Sequence, residues 1–137
     1  MKKTSNINIV DLDHKYSKRI TPQDYVKKST IEGVKIIGLK NFSAEDGYFL
    51  ELARVDEKGN LGQVPNFNLR QISVSKIDRG GIKGWHIHFK QEDIWFIPPE
   101  FTLLVGLYDL RKSSSTCGHS MRVVAGNHNS QLIYIPR

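Results

Sequence analysis

Residues 80–92 read GGIKGWHIHFKQE and place two histidines, His86 and His88, two positions apart. Successive side chains of a β-strand point to opposite faces, so residues two positions apart share a face. We therefore expect both imidazoles to leave the same face of a strand over residues 84–89, with apolar side chains on the other face. Polar side chains that point into a barrel line a pocket rather than a filled core.

Short apolar segments separated by turn-forming residues lie on both sides of this stretch. Residues 43–47 combine Ser, Asp and Gly and predict a turn. No long stripe of apolar residues at helical spacing occurs, so the pattern predicts an all-β domain built as a sandwich or closed barrel. The predicted strands cover residues 34–39, 48–55, 69–75, 84–89, 93–97, 102–110, 121–124 and 131–135.

The chain divides into two parts of different character. Residues 1–32 are polar and irregular, and Thr21 with the proline after it is a typical start for a short helix in this N-terminal arm. Residues 33–137 hold all the predicted strands without a linker or repeat, which indicates one β-domain. The apolar segment 131–135 has no closing turn after it. We therefore expect the natural polypeptide to continue past Arg137, or a second chain to complete the fold.

Composition and charge narrow the classes of function. The chain has 137 residues and a net charge of +6, which favours anionic ligands. Its Lys and Arg residues are scattered and no nucleic-acid motif is present, so we expect no nucleic-acid partner. The longest apolar run is well short of the roughly 18 residues that a membrane helix needs. The basic N-terminus lacks a following apolar region and Cys117 is the single cysteine, which together predict a cytoplasmic protein.

The spacing from Gly80 through His86 and His88 to Glu92 is similar to the first motif of the cupin superfamily, which supplies metal ligands in many of its members. Two imidazoles on one face and a carboxylate can form a three-ligand facial metal site. Two histidines hydrogen-bonded inside a barrel without metal would give the same pattern. A metal-dependent cupin enzyme is therefore one interpretation of the motif.

Four ordered blocks resemble the dTDP-4-dehydrorhamnose 3,5-epimerase family, a cupin family. Residues 71–75 and 82–86 are similar to its Q-x-N-x-S and L-R-G-L-H motifs, and residues 42–51 to its F-x-D-x-R-G-x-F-x-E motif. Residues 109–118 are close to D-x-R-x-x-S-P-T-F-G, and residues 131–136 match the strand before I-P-x-G-x-A-H-G. The resemblance implies a cupin-type double-stranded β-helix, or jelly-roll barrel, that is shortened at its C-terminus.

The resemblance also implies an activity. A family member is a homodimer that epimerises a dTDP-linked 4-keto-6-deoxy sugar for rhamnose-type polysaccharide precursors, without metal or organic cofactor. The matched residue His86 would be the general base that removes the proton beside the ketone, since imidazole titrates near working pH. The substrate contacts implied for this chain are Phe42, Phe49, Glu51, Gln71, Lys83 and His88.

Some matched residues fit a structural role as well. Rings at Phe42 and Phe49 would suit a hydrophobic core as well as a ligand platform. Asp109 and Arg111 are expected to hold the loop that ends at Gly118 rather than to touch substrate.

Lys83 stands at the arginine of L-R-G-L-H and His88 at a common glutamine, and the chain departs from the family pattern at three further positions. The arginine of R-G-x-F is Asp46, the family's lysine falls near Asp93 or Ile94, and an aspartate aligns with Val105. These departures leave open a relative that acts on another sugar, and also a relative that binds a nucleotide sugar without catalysis.

Overall fold

The structure is a computed structural model that describes residues 13–17 and 30–137. One short helix, α1, covers His14–Ser17, and the predicted helix start at Thr21 lies outside the described residues. The remaining elements are strands, so the predicted all-β class is confirmed. The strands are β1 Lys35–Gly38, β2 Asn41–Ala44, β3 Gly47–Leu50, β4 Asp93–Phe96, β5 Thr102–Tyr108, β6 Ser120–Gly126 and β7 Gln131–Ile135.

The described strands form three antiparallel sheets. β7 lies between β1 and β4, while β2 pairs with β3 and β5 pairs with β6. In the first sheet Ile133 lies opposite Ile36 on one side and opposite Trp95 on the other. No ladder joins one of these three sheets to another within the described ranges.

The hydrophobic core lies where β5 and β6 meet β7. Val105, Val123, Ala125 and Ile133 are buried, and Ile133 is 0% exposed. Strand β6 alternates as a strand with one buried face should, with Val124 exposed between two buried neighbours. Partly buried side chains surround this cluster: Trp95, Ile97, Leu103, Leu107, Met121 and Ile135.

The polar loop that follows β3 closes on itself and contributes buried side chains. Isolated bridges join Val55 to Leu61 and Asn60 to Asn68, so the chain doubles back over residues 55–68. Leu61 and Val64 are buried within this loop. Asp56 fixes the turn, because its Oδ1 accepts hydrogen bonds from the backbone amides of Lys58 (2.9 Å) and Asn60 (2.8 Å).

Several predicted strands differ from the observed ones. Residues 69–75 and 84–89 form no strand, and most of their apolar side chains face solvent, with Val74 97% and Phe89 81% exposed. The alternation predicted a buried face, but a strand needs both a pairing partner and a covering layer, and the described residues supply neither to this segment. The predicted turn at 43–47 is confirmed at residues 45–46, which connect β2 to β3, while the flanking residues belong to these two strands.

Two neighbouring turns interlock at one end of the core. Gly126 has a φ of 71°, and a Cβ placed there would collide with the backbone carbonyl of Phe101 and lie 2.8 Å from that of Pro98. The backbone amide of Asn127 donates to the Phe101 carbonyl (2.6 Å), and that of His128 donates to the Pro99 carbonyl (2.8 Å). The turn after β6 therefore approaches the turn after β4 so closely that only glycine fits at position 126.

A buried carboxylate fastens the loop between β5 and β6. Asp109, 4% exposed, accepts hydrogen bonds from Arg111 Nε (2.9 Å), Ser114 Oγ (2.6 Å) and Thr116 Oγ1 (2.7 Å). These donors, the Arg111 guanidinium foremost, hold the pKa of Asp109 far below its usual range despite the opposing effect of burial. Asp109 and Arg111 thus hold the loop as the sequence predicted, and Arg111 also donates to the Glu32 carbonyl (2.6 Å).

Replacing Gly126 by alanine should lower the free energy of unfolding by about 2–5 kcal/mol, since it adds a strained φ to a backbone collision. Urea denaturation followed by circular dichroism measures this. Gly38→Ala is the matched control, because no atom lies within 4 Å of its Cβ position. Equal midpoints for Gly126→Ala and the unsubstituted chain would show that the two turns do not interlock.

Asp109→Asn should lower the free energy of unfolding at pH 7 by about 2–4 kcal/mol, because Arg111 loses its buried partner. The Asp109 pKa is depressed in the folded state, so its contribution is complete above the unfolded-state pKa of about 3.9 and is lost as the pH falls below it. The gap between the two proteins should therefore shrink below about pH 4. Denaturation at pH 7, 5 and 3 measures it, with the exposed Asp78→Asn as control. A gap of constant size would contradict the assignment.

Candidate active site

The histidine predicted as the general base lies on an exposed stretch of chain. His86 is exposed within residues 81–90, and it forms no hydrogen bond or ion pair with any residue that the structure describes. Its neighbour Trp85 lies against strand β5, with a ring carbon 3.6 Å from the position that a Cβ on Gly106 would take. Both imidazole nitrogens of His86 are therefore without a hydrogen-bond partner in the described part of the chain and can be reached by a ligand.

The second histidine of the motif belongs to a different polar group. His88 Nε2 lies 3.6 Å from Asp93 Oδ2 at the start of β4, and Gln91 Nε2 donates to Asp93 Oδ1 (3.0 Å). Glu92 faces Tyr134, whose pKa is raised by burial and, to a lesser extent, by the Glu92 charge and hydrogen bond. The sequence did not predict Asp93 as a partner of His88, because the contact depends on the path that the chain takes after Phe89.

The three-ligand metal site is not assembled in the described part of the chain. Within residues 13–17 and 30–137, no three His, Cys, Asp or Glu side chains converge in a geometry suited to a metal ion. His88 and Glu92 are turned to separate partners, Asp93 and Tyr134. The described geometry therefore does not support the alternative interpretation in which His86, His88 and Glu92 hold a metal ion.

Two predicted substrate contacts lie just upstream of His86. A turn closed by the hydrogen bond from the Gly81 amide to the Asp78 carbonyl (2.9 Å) brings residues on either side of it together. Across this turn Lys83 Nζ donates to Ser75 Oγ (2.5 Å). Gln71 Nε2 donates to the nearby Ser73 Oγ (2.8 Å), so both polar side chains are held at the surface.

The predicted aromatic contacts form a pair on the β2–β3 hairpin. Phe42 and Phe49 are directly opposite in the ladder, with ring centroids 6.2 Å apart and a tilt of 46°. Phe42 is 46% and Phe49 63% exposed. The interpretation of these rings as core residues is wrong, because the hairpin presents them to solvent.

The predicted contact Glu51 follows the same hairpin and already has a cationic partner. Arg54 Nε donates to both carboxylate oxygens of Glu51, at 3.2 and 3.1 Å, and its Nη2 completes the ion pair. These hydrogen bonds lower the pKa of Glu51. Nothing in the sequence pointed to this partner, because charges three positions apart are neighbours on a helix and residues 51–54 form no helix.

The predicted site thus falls into two exposed groups. Phe42, Phe49 and Glu51 share the hairpin, while Gln71, Lys83, His86 and His88 share the unpaired segment 69–91. No hydrogen bond or ion pair between side chains connects one group to the other among the described residues. Either group is open to a ligand from solvent.

Comparison with known proteins identifies relatives of the chain. Residues 28–137 match the family model of dTDP-4-dehydrorhamnose 3,5-epimerase. The chain is 41% identical over 107 residues to the spore coat polysaccharide biosynthesis protein SpsL of Bacillus subtilis (strain 168), an alignment that covers 78% of this chain and 66% of SpsL. It is 39% identical over 88 residues to the "Probable low-salt glycan biosynthesis epimerase Agl13" of Haloferax volcanii, covering 59% of this chain and 56% of that protein.

A solved structure is also similar. A dTDP sugar isomerase from Desulfovibrio desulfuricans G20 shares 21% identity with a TM-score of 0.42, over 77% of this chain and 64% of that one. The chain spans less than two thirds of the length of each of these relatives. The family match extends over both exposed groups and the whole core and agrees with the predicted cupin-type β fold. The chain belongs to the dTDP-4-dehydrorhamnose 3,5-epimerase family.

Proposed function

We propose that the chain is a nucleotide-sugar epimerase that inverts a carbon beside the ketone of a dTDP-linked 4-keto-6-deoxy hexose. Membership of the family supports the class of substrate. The observation that carries the assignment of the base is the exposure of His86 without a partner among the described residues. A general base must reach its proton directly, and an exposed imidazole with an unengaged ring nitrogen meets this requirement.

The chemistry follows from the acidity of carbons next to a carbonyl. His86 takes a proton from the carbon beside the C4 ketone, and the electrons move onto the ketone oxygen as an enolate. That enolate needs a hydrogen-bond donor, a role that we assign to the ring nitrogen of His88 that does not face Asp93. Return of a proton to the opposite face of the ring gives the epimer.

The remaining predicted contacts bind the nucleotide part of the substrate in this proposal. The exposed rings of Phe42 and Phe49 offer a surface for the base. Lys83 supplies a positive charge for phosphate, without the bidentate fork of the arginine it replaces. Gln71 and Glu51 offer hydrogen-bonding groups beside these two surfaces.

The setting of the reaction is part of the same proposal. SpsL and Agl13 carry names from polysaccharide and glycan biosynthesis, which supports a role in making precursors of surface polysaccharide, including the rhamnose type.

Exposed apolar side chains over residues 69–91 support the homodimer. The exposed free thiol of Cys117 fits a reducing compartment such as the cytoplasm. No described helix is long and apolar enough to cross a membrane.

A second candidate function is favoured by the position of Val105. The resemblance aligns an aspartate there, whereas Val105 is buried in the hydrophobic core and cannot take part in proton transfer. Asp93, one of the two positions near which the family's lysine falls, is engaged by His88 and Gln91. A chain with these departures could bind the nucleotide sugar without turning it over.

His86→Asn should slow exchange of the protons beside the ketone by about a hundredfold or more, since this is the usual contribution of a general base. The measurement is deuterium incorporation into dTDP-4-keto-6-deoxyglucose in heavy water, followed by NMR for the unsubstituted chain and the variant.

His128→Asn is the matched control, because His128 is an exposed histidine in the turn after β6 and asparagine tolerates its φ of 66°. It should exchange at the unsubstituted rate. If His86→Asn also exchanged at the unsubstituted rate, the assignment of His86 as the general base would be overturned. Tight binding of the sugar nucleotide with no exchange by the unsubstituted chain would favour the second candidate function.

A further inference from the structure

The β2–β3 hairpin separates its charges between its two ends. The register pairs Asn41 with Leu50, so Lys40 and Glu51 flank the open end of the hairpin. The same register pairs Ala44 with Gly47 and leaves Glu45 and Asp46 as the two turn residues. Each strand has four residues, so the two ends lie about 13 Å apart at the usual rise of a strand.

At the open end one positive charge is left without a counter-charge. The Glu51 carboxylate is matched by Arg54 in a bidentate ion pair. Lys40 Nζ forms no ion pair with any carboxylate that the structure describes and lies 4.5 Å from the centroid of the Phe42 ring. The open end is therefore cationic, while the turn carries two uncompensated acids.

The position of Lys40 also distinguishes the two exposed rings. Its ammonium covers one face of Phe42 in a cation–π contact. The Phe49 ring, 63% exposed, has no such cation over it. A flat apolar group from solvent thus finds its free surface on Phe49, beside an ammonium that has no carboxylate partner.

We propose that Lys40 is a second cation for the diphosphate of the nucleotide ligand, in addition to Lys83, with the base resting on Phe49. This inference rests on the proposed nucleotide-sugar function and goes beyond it by fixing the direction in which the ligand lies along the hairpin. The family's arginine in the turn is Asp46 here, so the diphosphate points away from the turn and toward the open end. The separation of about 13 Å exceeds the Debye length of about 8 Å at physiological ionic strength, so the turn acids weaken this attraction little.

The experiment compares the affinity of the 137-residue chain for thymidine diphosphate and for thymidine, by isothermal titration calorimetry at low and high salt. Lys40→Gln should weaken binding of the diphosphate about tenfold at low salt, since a charge-assisted contact is lost. It should leave thymidine binding unchanged, and the effect should shrink at high salt. Phe49→Leu should weaken both ligands equally. Circular dichroism confirms that the variants fold.

Lys112→Gln, which removes an exposed lysine from the loop after β5, is the matched control and should bind both ligands like the unsubstituted chain. Equal diphosphate affinity of Lys40→Gln and Lys112→Gln would overturn the inference and restrict Lys40 to its contact with Phe42, while the proposed epimerase would survive. A normal Lys40 effect in a chain that shows no His86-dependent exchange would support the inference and overturn the epimerase. An unsubstituted chain that binds neither ligand would overturn both.

Discussion

The burial of strand β7 is the constraint on which the rest of the structure depends. Ile133 is paired across the ladder with Ile36 and Trp95, and it packs against Val105 and Val123 of the neighbouring sheet. Strand β7 thereby joins β1 and β4, which are far apart in the sequence. Because Ile133 is completely buried, any loss of its contacts would open a cavity in the core and free β1 and β4 together.

Hydrogen bonds and ion pairs then hold the loops and turns that the small hydrophobic core does not cover. The buried carboxylate of Asp109 gathers the loop after β5, and that loop reaches Glu32, whose carboxylate accepts from the amide and hydroxyl of Ser115 at 2.6 and 2.7 Å. At the opposite end of β5, the turns around Phe101 and Gly126 lock through backbone hydrogen bonds. The buried core and most of these hydrogen bonds thus lie in β4 to β7 with their turns. The residues implicated in function all lie outside these elements.

This separation explains the form of the candidate site. The hairpin with Phe42 and Phe49 and the segment with His86 both project from the core and expose groups that a ligand can reach. The hairpin offers aromatic surface with a cation at one end, whereas the segment offers imidazole and amide groups. The nucleotide sugar proposed as substrate combines a flat base, a diphosphate and a polar ring, parts that the two groups would suit chemically.

The sequence by itself determined the all-β class, most of the strand positions and the identity of the candidate residues. Strands 93–97, 102–110 and 131–135 were predictable because alternation and turn residues are local properties. Burial, pairing and contacts between distant residues depend on which layer covers which face, so only the tertiary structure decided them. The tertiary structure alone showed that the segment around Val74 and His86 forms no strand and that Phe42 and Phe49 face solvent. It also showed that the side chain of His88 lies near Asp93 and not in a metal triad.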